Sequence, residues 1–287
     1  MSQDDVWFVT GSSRGLGRTT TEAALAAGRR VVATAGDVRA LDDLVDRFPD
    51  RLLALPLDVT DSVRAREAVV EAITHFGRLD VVVNNAGYAD IEPIESVALS
   101  DFVAQVDAVF YGTVHVTRAA LPVFRAQRSG FFIQVASIGG RVTAPGLGAY
   151  QAAKFAVEGF SGVLRQEVSP LGIRVTVAEP GSMRTDWAGA SMRVPAMDDA
   201  YVGTVGAFAE RTRASGGSQP IDPEAVARVL VDLSEHPDPP LHLPLGADAV
   251  EYARRALEEN LAQDAEWAEV GRSVDFAVNL ASAGEKE

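Results

Sequence analysis

Apolar residues cluster in short, nearly unbroken runs at 6–9, 31–35, 52–57, 79–83, 131–136 and 173–178. Each run is too brief for a helix and rich in Val, Leu, Ile and Phe, the pattern of strands buried on both faces. Longer stretches between them carry apolar positions three or four apart and predict helices. These are the Ala-rich segment that ends at Gly28, then 38–47, 62–76, 101–127 and 150–169. Gly28 and Gly77 are placed to close their helices, Pro170 helps to end the last, and Pro122 predicts a kink in the longest. Strand and helix alternate through the first 180 residues. That order predicts an α/β fold, a doubly wound parallel sheet with helices on both faces.

Beyond residue 181 the pattern changes. Residues 182–219 hold Met183, Trp187, Met192, Met197, Tyr201 and Phe208 among Gly, Ser and Arg. Two readings stand side by side: a mobile cover over a substrate site with an apolar underside, or a helical excursion that completes the core. A helix over 222–234, a stiff Pro-rich turn, an edge strand over 241–245 and an amphipathic helix over 247–262 follow, and 264–287 reads as an acidic, partly loose tail. The whole chain reads as one domain.

Composition narrows the function classes. A net charge of −14 argues against a nucleic-acid or anionic-membrane partner. No apolar run reaches membrane-spanning length, and the polar residues 1–5 lead straight into a strand, so neither a membrane partner nor a signal peptide is expected and the expected location is cytoplasmic. Cysteine is absent, which excludes disulfides and thiolate chemistry, and His75, His115, His236 and His242 show no ligand spacing, so no metal is expected.

The first strand runs directly into Thr10-Gly11-Ser12-Ser13-Arg14-Gly15-Leu16-Gly17 and then into a helix. A strand, a Gly-rich turn and a helix N-terminus present backbone N–H groups to a phosphate, and glycine lets the backbone approach a pyrophosphate closely. The second strand ends at Ala35-Gly36-Asp37, where a carboxylate suits a free ribose 2′-OH and an arginine suits a 2′-phosphate. Arg14 could supply that cation while Asp37 would repel the phosphate; the balance falls slightly toward NADP(H) over NAD(H). Asp58, at the end of the third strand, could accept from an adenine amino group or serve a local cap. Asn84-Asn85-Ala86-Gly87 ends the fourth strand, a position that suits a ligand crevice.

The chemistry centres on 137–154. Ser137 ends the fifth strand, and Tyr150 and Lys154 stand four apart on a helix-prone run, on one helix face. An ammonium beside a phenol favours the phenolate, so the expectation is a Tyr150 pKa below its usual value of about 10. Such a hydroxyl can exchange a proton near neutral pH, with Ser137 hydrogen-bonding the reacting oxygen.

Taken in order, Thr10-Gly11…Gly15…Gly17, Asp58, Asn84-Asn85-Ala86-Gly87, Ser137, Tyr150…Lys154 and Pro180-Gly181…Thr185 resemble the short-chain dehydrogenase/reductase family, strongly over residues 6–185. The resemblance implies a Rossmann-like sheet of about seven strands and an NAD(P)-dependent oxidoreductase acting on a small-molecule carbonyl or alcohol. It implies Tyr150 as general acid/base, Lys154 lowering its pKa and holding the nicotinamide ribose, and Ser137 orienting the substrate. Gly11, Ser13, Arg14 and Leu16 would line the pyrophosphate and adjacent ribose. Asp58 would meet adenine, Asn85 the adenosine side, and Thr185, just past Pro180, the nicotinamide carboxamide. The family also pairs two long helices with those of a second copy, so a homodimer or homotetramer is expected, with Val114, Val116, Phe155, Phe160 and Val163 as candidate contacts.

The chain departs from the family pattern in Asp107-Ala108-Val109-Phe110-Tyr111-Gly112. Val109 stands where the family has an asparagine that helps hold a proton-relaying water. Gln134 and Ala153 are milder departures. A cofactor-dependent isomerase, dehydratase or cyclase without net redox, and a cofactor-binding protein without catalysis, are the alternative readings.

Overall fold

A computed structural model describes residues 5–185 and 192–276. Seven strands form one parallel sheet in the order β3-β2-β1-β4-β5-β6-β7. They are β1 (Val6–Val9), β2 (Arg30–Ala35), β3 (Leu52–Pro56), β4 (Val81–Asn84), β5 (Gly130–Val135), β6 (Ile173–Pro180) and β7 (His242–Leu245). The order reverses between β1 and β4, whose register pairs Val9 with Val83. In such sheets the crevice beyond the strand ends at this reversal is where ligands bind.

Side chains alternate across the sheet, and each face has its own core. Trp7, Val9, Val31, Val83 and Ile133 pack on one side against α1 (Gly15–Ala26) and α9 (Pro223–Glu235), through Leu16, Leu25, Val226 and Leu230. Val6, Phe8, Val32, Val82 and Phe132 face the other way, onto α3 (Ser62–Phe76), α5 (Gly112–Gln127) and α6 (Gly148–Val168). Each large apolar side chain buried in this way contributes about 1.5–3 kcal/mol.

The local signals explain most boundaries. Asp61 caps α3 by accepting from the N–H groups of Val63 and Arg64, and Gly77 closes it at φ 78. Residues 38–47 divide into a 3-10 turn (Val38–Leu41) and α2 (Asp42–Arg47). The long central helix is interrupted elsewhere than expected. Pro122 lies inside α5, but the break is a π turn over Asp107–Tyr111, between α4 (Leu99–Val106) and α5. α10 (Ala247–Arg272) runs ten residues past its expected end and takes up the first part of the expected loose tail. Ion pairs one turn apart, Arg254 with Glu251 and Glu258 and Arg272 with Glu269, support it. The rest of the tail from 277, and Trp187, lie outside the described residues. No described helix is long and apolar enough to cross a membrane.

Within the described part of 182–219, residues 199–214 are helical. α7 (Asp199–Tyr201), a π turn (Val202–Gly206) and α8 (Ala207–Ala214) present Val205 and Ala209 to Ala89, Ile91, Leu147 and Tyr150, and Met192 joins the same cluster from the stretch before α7. Met183 bridges to Ile221.

Candidate active site

A cavity of about 670 Å³ opens at the β1/β4 reversal. One end is made of backbone. The chain leaves β1 through Gly11 (φ 69) and enters α1 through Gly15 (φ 55), conformations that favour glycine. The Thr10 hydroxyl accepts the N–H groups of Asn85 (2.9 Å) and Ala86 (3.0 Å). The Asn85 amide in turn donates to the carbonyls of Thr10 (2.9 Å) and Gly11 (3.3 Å). These bonds tie the ends of β1 and β4 together, so Asn85 shapes the turn as well as lining the cavity. Gly11, Ser13, Arg14, Gly15 and Leu16 line the cavity, and Gly17 does not. A Cβ at Gly17 would run into the Gly11 carbonyl and the Asn85 amide. Its role is close packing of α1 on the turn. The N-terminus of α1 adds the positive end of a helix dipole.

Asp37 and Asp58 also lie off the lining of this cavity. Asp37 is exposed and paired with Arg39 (Nη2–Oδ2 2.6 Å, Nε–Oδ1 2.9 Å), which holds its carboxyl down to about 2. The second strand therefore ends in a neutralised pair, and Arg39 is a residue the sequence reading overlooked although it stands two positions from Asp37. Asp58 spends Oδ1 on the Thr60 N–H (2.9 Å) and hydroxyl (2.8 Å), a local turn.

The other end is made of side chains. Ser137, Tyr150 and Lys154 all line the cavity, as do Pro180 and Thr185. Ser137 Oγ accepts the Gly139 N–H (3.0 Å) at the head of a 3-10 turn. Tyr150 is 8% exposed, and its ring flanks Gly139 beside Ser137 Oγ. Lys154 is 5% exposed; its Nζ donates to the Val135 carbonyl (2.6 Å) and sits 5.6 Å from the Tyr150 ring centre.

This geometry overturns the expected acidity. Burial pushes the Tyr150 phenol up to about 12, and the nearby Ser137 hydroxyl offsets only part of that. Burial also pushes the Lys154 ammonium down to about 8. Desolvation disfavours the charged form of each group and outweighs their proximity. The protein's own groups thus keep the phenol protonated at neutral pH.

Ala89, Ala144, Leu147, Met183 and Phe208 give the lining an apolar part, beside Thr143, Thr212 and Ser215. Gln151 fixes part of it, accepting from Ala144 N (2.8 Å) and donating to Val142 O (2.9 Å). Gln219 and Tyr252 reach the cavity from distant segments, and no local motif marks them. Val109 is 1% exposed, and its carbonyl accepts the Thr113 hydroxyl (3.0 Å). The π turn forms with valine in place. Gln134 joins Asn84 (2.8 Å) and Thr117 (3.2 Å) in a buried network. The fold also gathers Glu158, Glu179 and His242 within 4.8 Å, a cluster that no spacing in the sequence shows.

Comparison with known proteins agrees with this architecture. The short chain dehydrogenase family matches residues 5–193. The oxidoreductase BOA17 of Botryotinia fuckeliana is 50% identical over 266 residues, 92% of this chain and 97% of its own length. The crystal structure of a short-chain dehydrogenase from Streptomyces avermitilis aligns with a TM-score of 0.89 at 38% identity, over 95% of this chain and 100% of that one. The closed form of serine dehydrogenase complexed with NADP+ aligns with a TM-score of 0.73 at 28% identity, over 84% and 94%. A match across most of the sheet, and a relative with half its residues in common, show that the chain belongs to the short-chain dehydrogenase/reductase family and is an oxidoreductase.

Proposed function

We propose that the protein interconverts a carbonyl and an alcohol on a largely apolar small molecule, with a nicotinamide coenzyme and Tyr150 as general acid/base. The observation that carries this reading is that Ser137, Tyr150 and Lys154 line one end of a cavity whose other end is a glycine turn and a helix N-terminus. That donor set fits a dinucleotide: Gly11, Ser13, Arg14, Gly15 and Leu16 would take the pyrophosphate side, with Asn85 behind them, and Lys154, Pro180 and Thr185 the nicotinamide side. When bound, the coenzyme supplies or accepts the hydride. Ser137 orients the substrate oxygen and Tyr150 exchanges its proton. Burial keeps the phenol protonated in the free protein at neutral pH, the state from which a proton is given in the reductive direction.

Arg14 and Arg39 favour NADP(H), because Asp37 is neutralised by Arg39. The apolar part of the lining favours a hydrophobic carbonyl compound, and 192–219 acts as its cover. Pairing of two copies across the long helices is supported by exposed Val103, Tyr111, Phe155 and Val163. Val116 belongs wholly to the core and Phe160 packs against it, so they leave the proposed contact set.

The test is loss of reduced-nicotinamide absorbance with a panel of hydrophobic ketones, run with NADPH and NADH in parallel. Turnover that survives Tyr150→Phe unchanged would overturn the reading. A strictly monomeric sedimentation profile at micromolar concentration would remove the paired helices.

A further inference from the structure

Tyr150, Lys154 and Glu158 follow at four-residue steps on one face of α6. The turn after Ser137 lies along that face: a Cβ at Gly139 would touch Tyr150 Cε1 at 3.5 Å, and one at Gly140 would stand 3.0 Å from Glu158 Cγ and Oε1. Beyond Lys154 the face meets β6 and β7. Glu158 Oε2 is 3.0 Å from His242 Nδ1, which is also 3.0 Å from Glu179 Oε1. Glu179 is fully buried and accepts from Arg141 Nη2 (2.8 Å). The Glu158 side chain is 11% exposed, whereas that of His242 is 41% exposed and opens the cluster to solvent.

Two buried oxygens here, Glu158 Oε1 and Glu179 Oε2, have no hydrogen-bond partner. Both carboxylates also reach the same imidazole nitrogen, and two buried carboxyl groups this close resist ionising together. One proton on the carboxyl pair cures both faults, because a protonated carboxyl gains a donor and loses its charge.

We propose that Glu158 is a proton-transfer station between Lys154 and solvent, held by Glu179 and Arg141, with His242 as its outlet. The proposal rests on the reading of Tyr150 and Lys154 given above. In the reductive direction the Tyr150 O–H bond breaks as the product O–H bond forms. The phenolate then takes a proton from the Lys154 ammonium, and the amine takes the carboxyl proton of Glu158. Water restores that proton through His242. Lys154 makes no direct ion pair with Glu158, so this step takes one intervening water or a swing of the lysine end. The groups facing Glu158 are Lys154 on its own helix, Glu179 on β6, Arg141 after the 3-10 turn and His242 on β7. Burial and Glu179 push Glu158 up to about 8, the value to which burial pushes Lys154 down, so exchange between them is nearly even in energy.

Glu158→Gln keeps the shape and removes the exchangeable carboxyl proton. In the free protein, infrared titration should show the carbonyl band of a protonated buried carboxyl at pH 7, titrating near 8 and absent in the variant. The folded protein holds this proton between about 4.5 and 8, where the unfolded chain has released it, so the Glu158 contribution to stability falls as pH rises through that window. The melting temperature of Glu158→Gln should lack that decline. In catalysis the first turnover should stay near the wild-type rate, because Tyr150 already carries its proton, while steady-state turnover falls roughly tenfold. His242→Gln, at a half-exposed site, should show the same split more weakly and serves if Glu158→Gln fails to fold. An unchanged infrared band and pH–stability profile, or equal loss in the first and later turnovers, would overturn the proposal. So would stoichiometric Zn²⁺ binding abolished by Glu158→Gln, which would make the trio a metal site. If the wild type binds no coenzyme and reduces nothing, the functional reading fails while the infrared titration still tests the proton site.

Discussion

The two ends of the cavity are built on different principles. On the proposed function, the groups that meet the coenzyme at the glycine turn are backbone N–H groups, and the side chains around them, Thr10 and Asn85, hold the backbone still. On the same reading, the acting groups at the Tyr150 end are side chains: the Ser137 hydroxyl with a phenol and an ammonium whose acidities depend on burial. Substitutions should therefore damage the first end through geometry and the second through protonation.

Four substitutions sharpen or break that contrast. Tyr150→Phe should lower turnover by about 10²–10⁴-fold and leave coenzyme affinity nearly intact; stopped-flow rates and fluorescence titration check both, and a parallel loss of affinity would merge the two ends. Gly17→Ala acts in the opposite sense. Its methyl group meets backbone and the Asn85 amide, so stability in urea should fall by up to about 3 kcal/mol, with coenzyme binding lost before any change near Tyr150. Thr10→Val leaves the N–H groups of Asn85 and Ala86 without their acceptor and should cost about 1–2 kcal/mol, read from the same denaturation. Arg39→Ala is the mildest. It breaks an exposed pair, should leave stability nearly unchanged, and should cut the proposed preference for NADPH over NADH by at most about fivefold, measured as a ratio of dissociation constants.

Legibility in the sequence followed the range of the interaction. The strands, α3 and the closing glycines were readable because each signal lies within a few residues of its effect. So was the meeting of Tyr150 and Lys154 on one helix face. The π turn at Asp107–Tyr111 was not, since nothing in those residues departs from a helical pattern. Asp37 carried a plain enough cue in Arg39, two residues on, and it was missed because the second strand was read only to its last acid. The acidity of Tyr150 was misjudged because spacing reports that an amine is near but not that both groups are dry.

The sequence by itself determined the alternating sheet, the glycine turn and the serine, tyrosine and lysine that mark the family, all consequences of short-range periodicity and backbone freedom. Only the tertiary structure decided which proton each group holds and that Glu158, Glu179 and His242 meet. Desolvation is set by everything packed around a group, and these three residues come from a helix and two strands far apart in the chain.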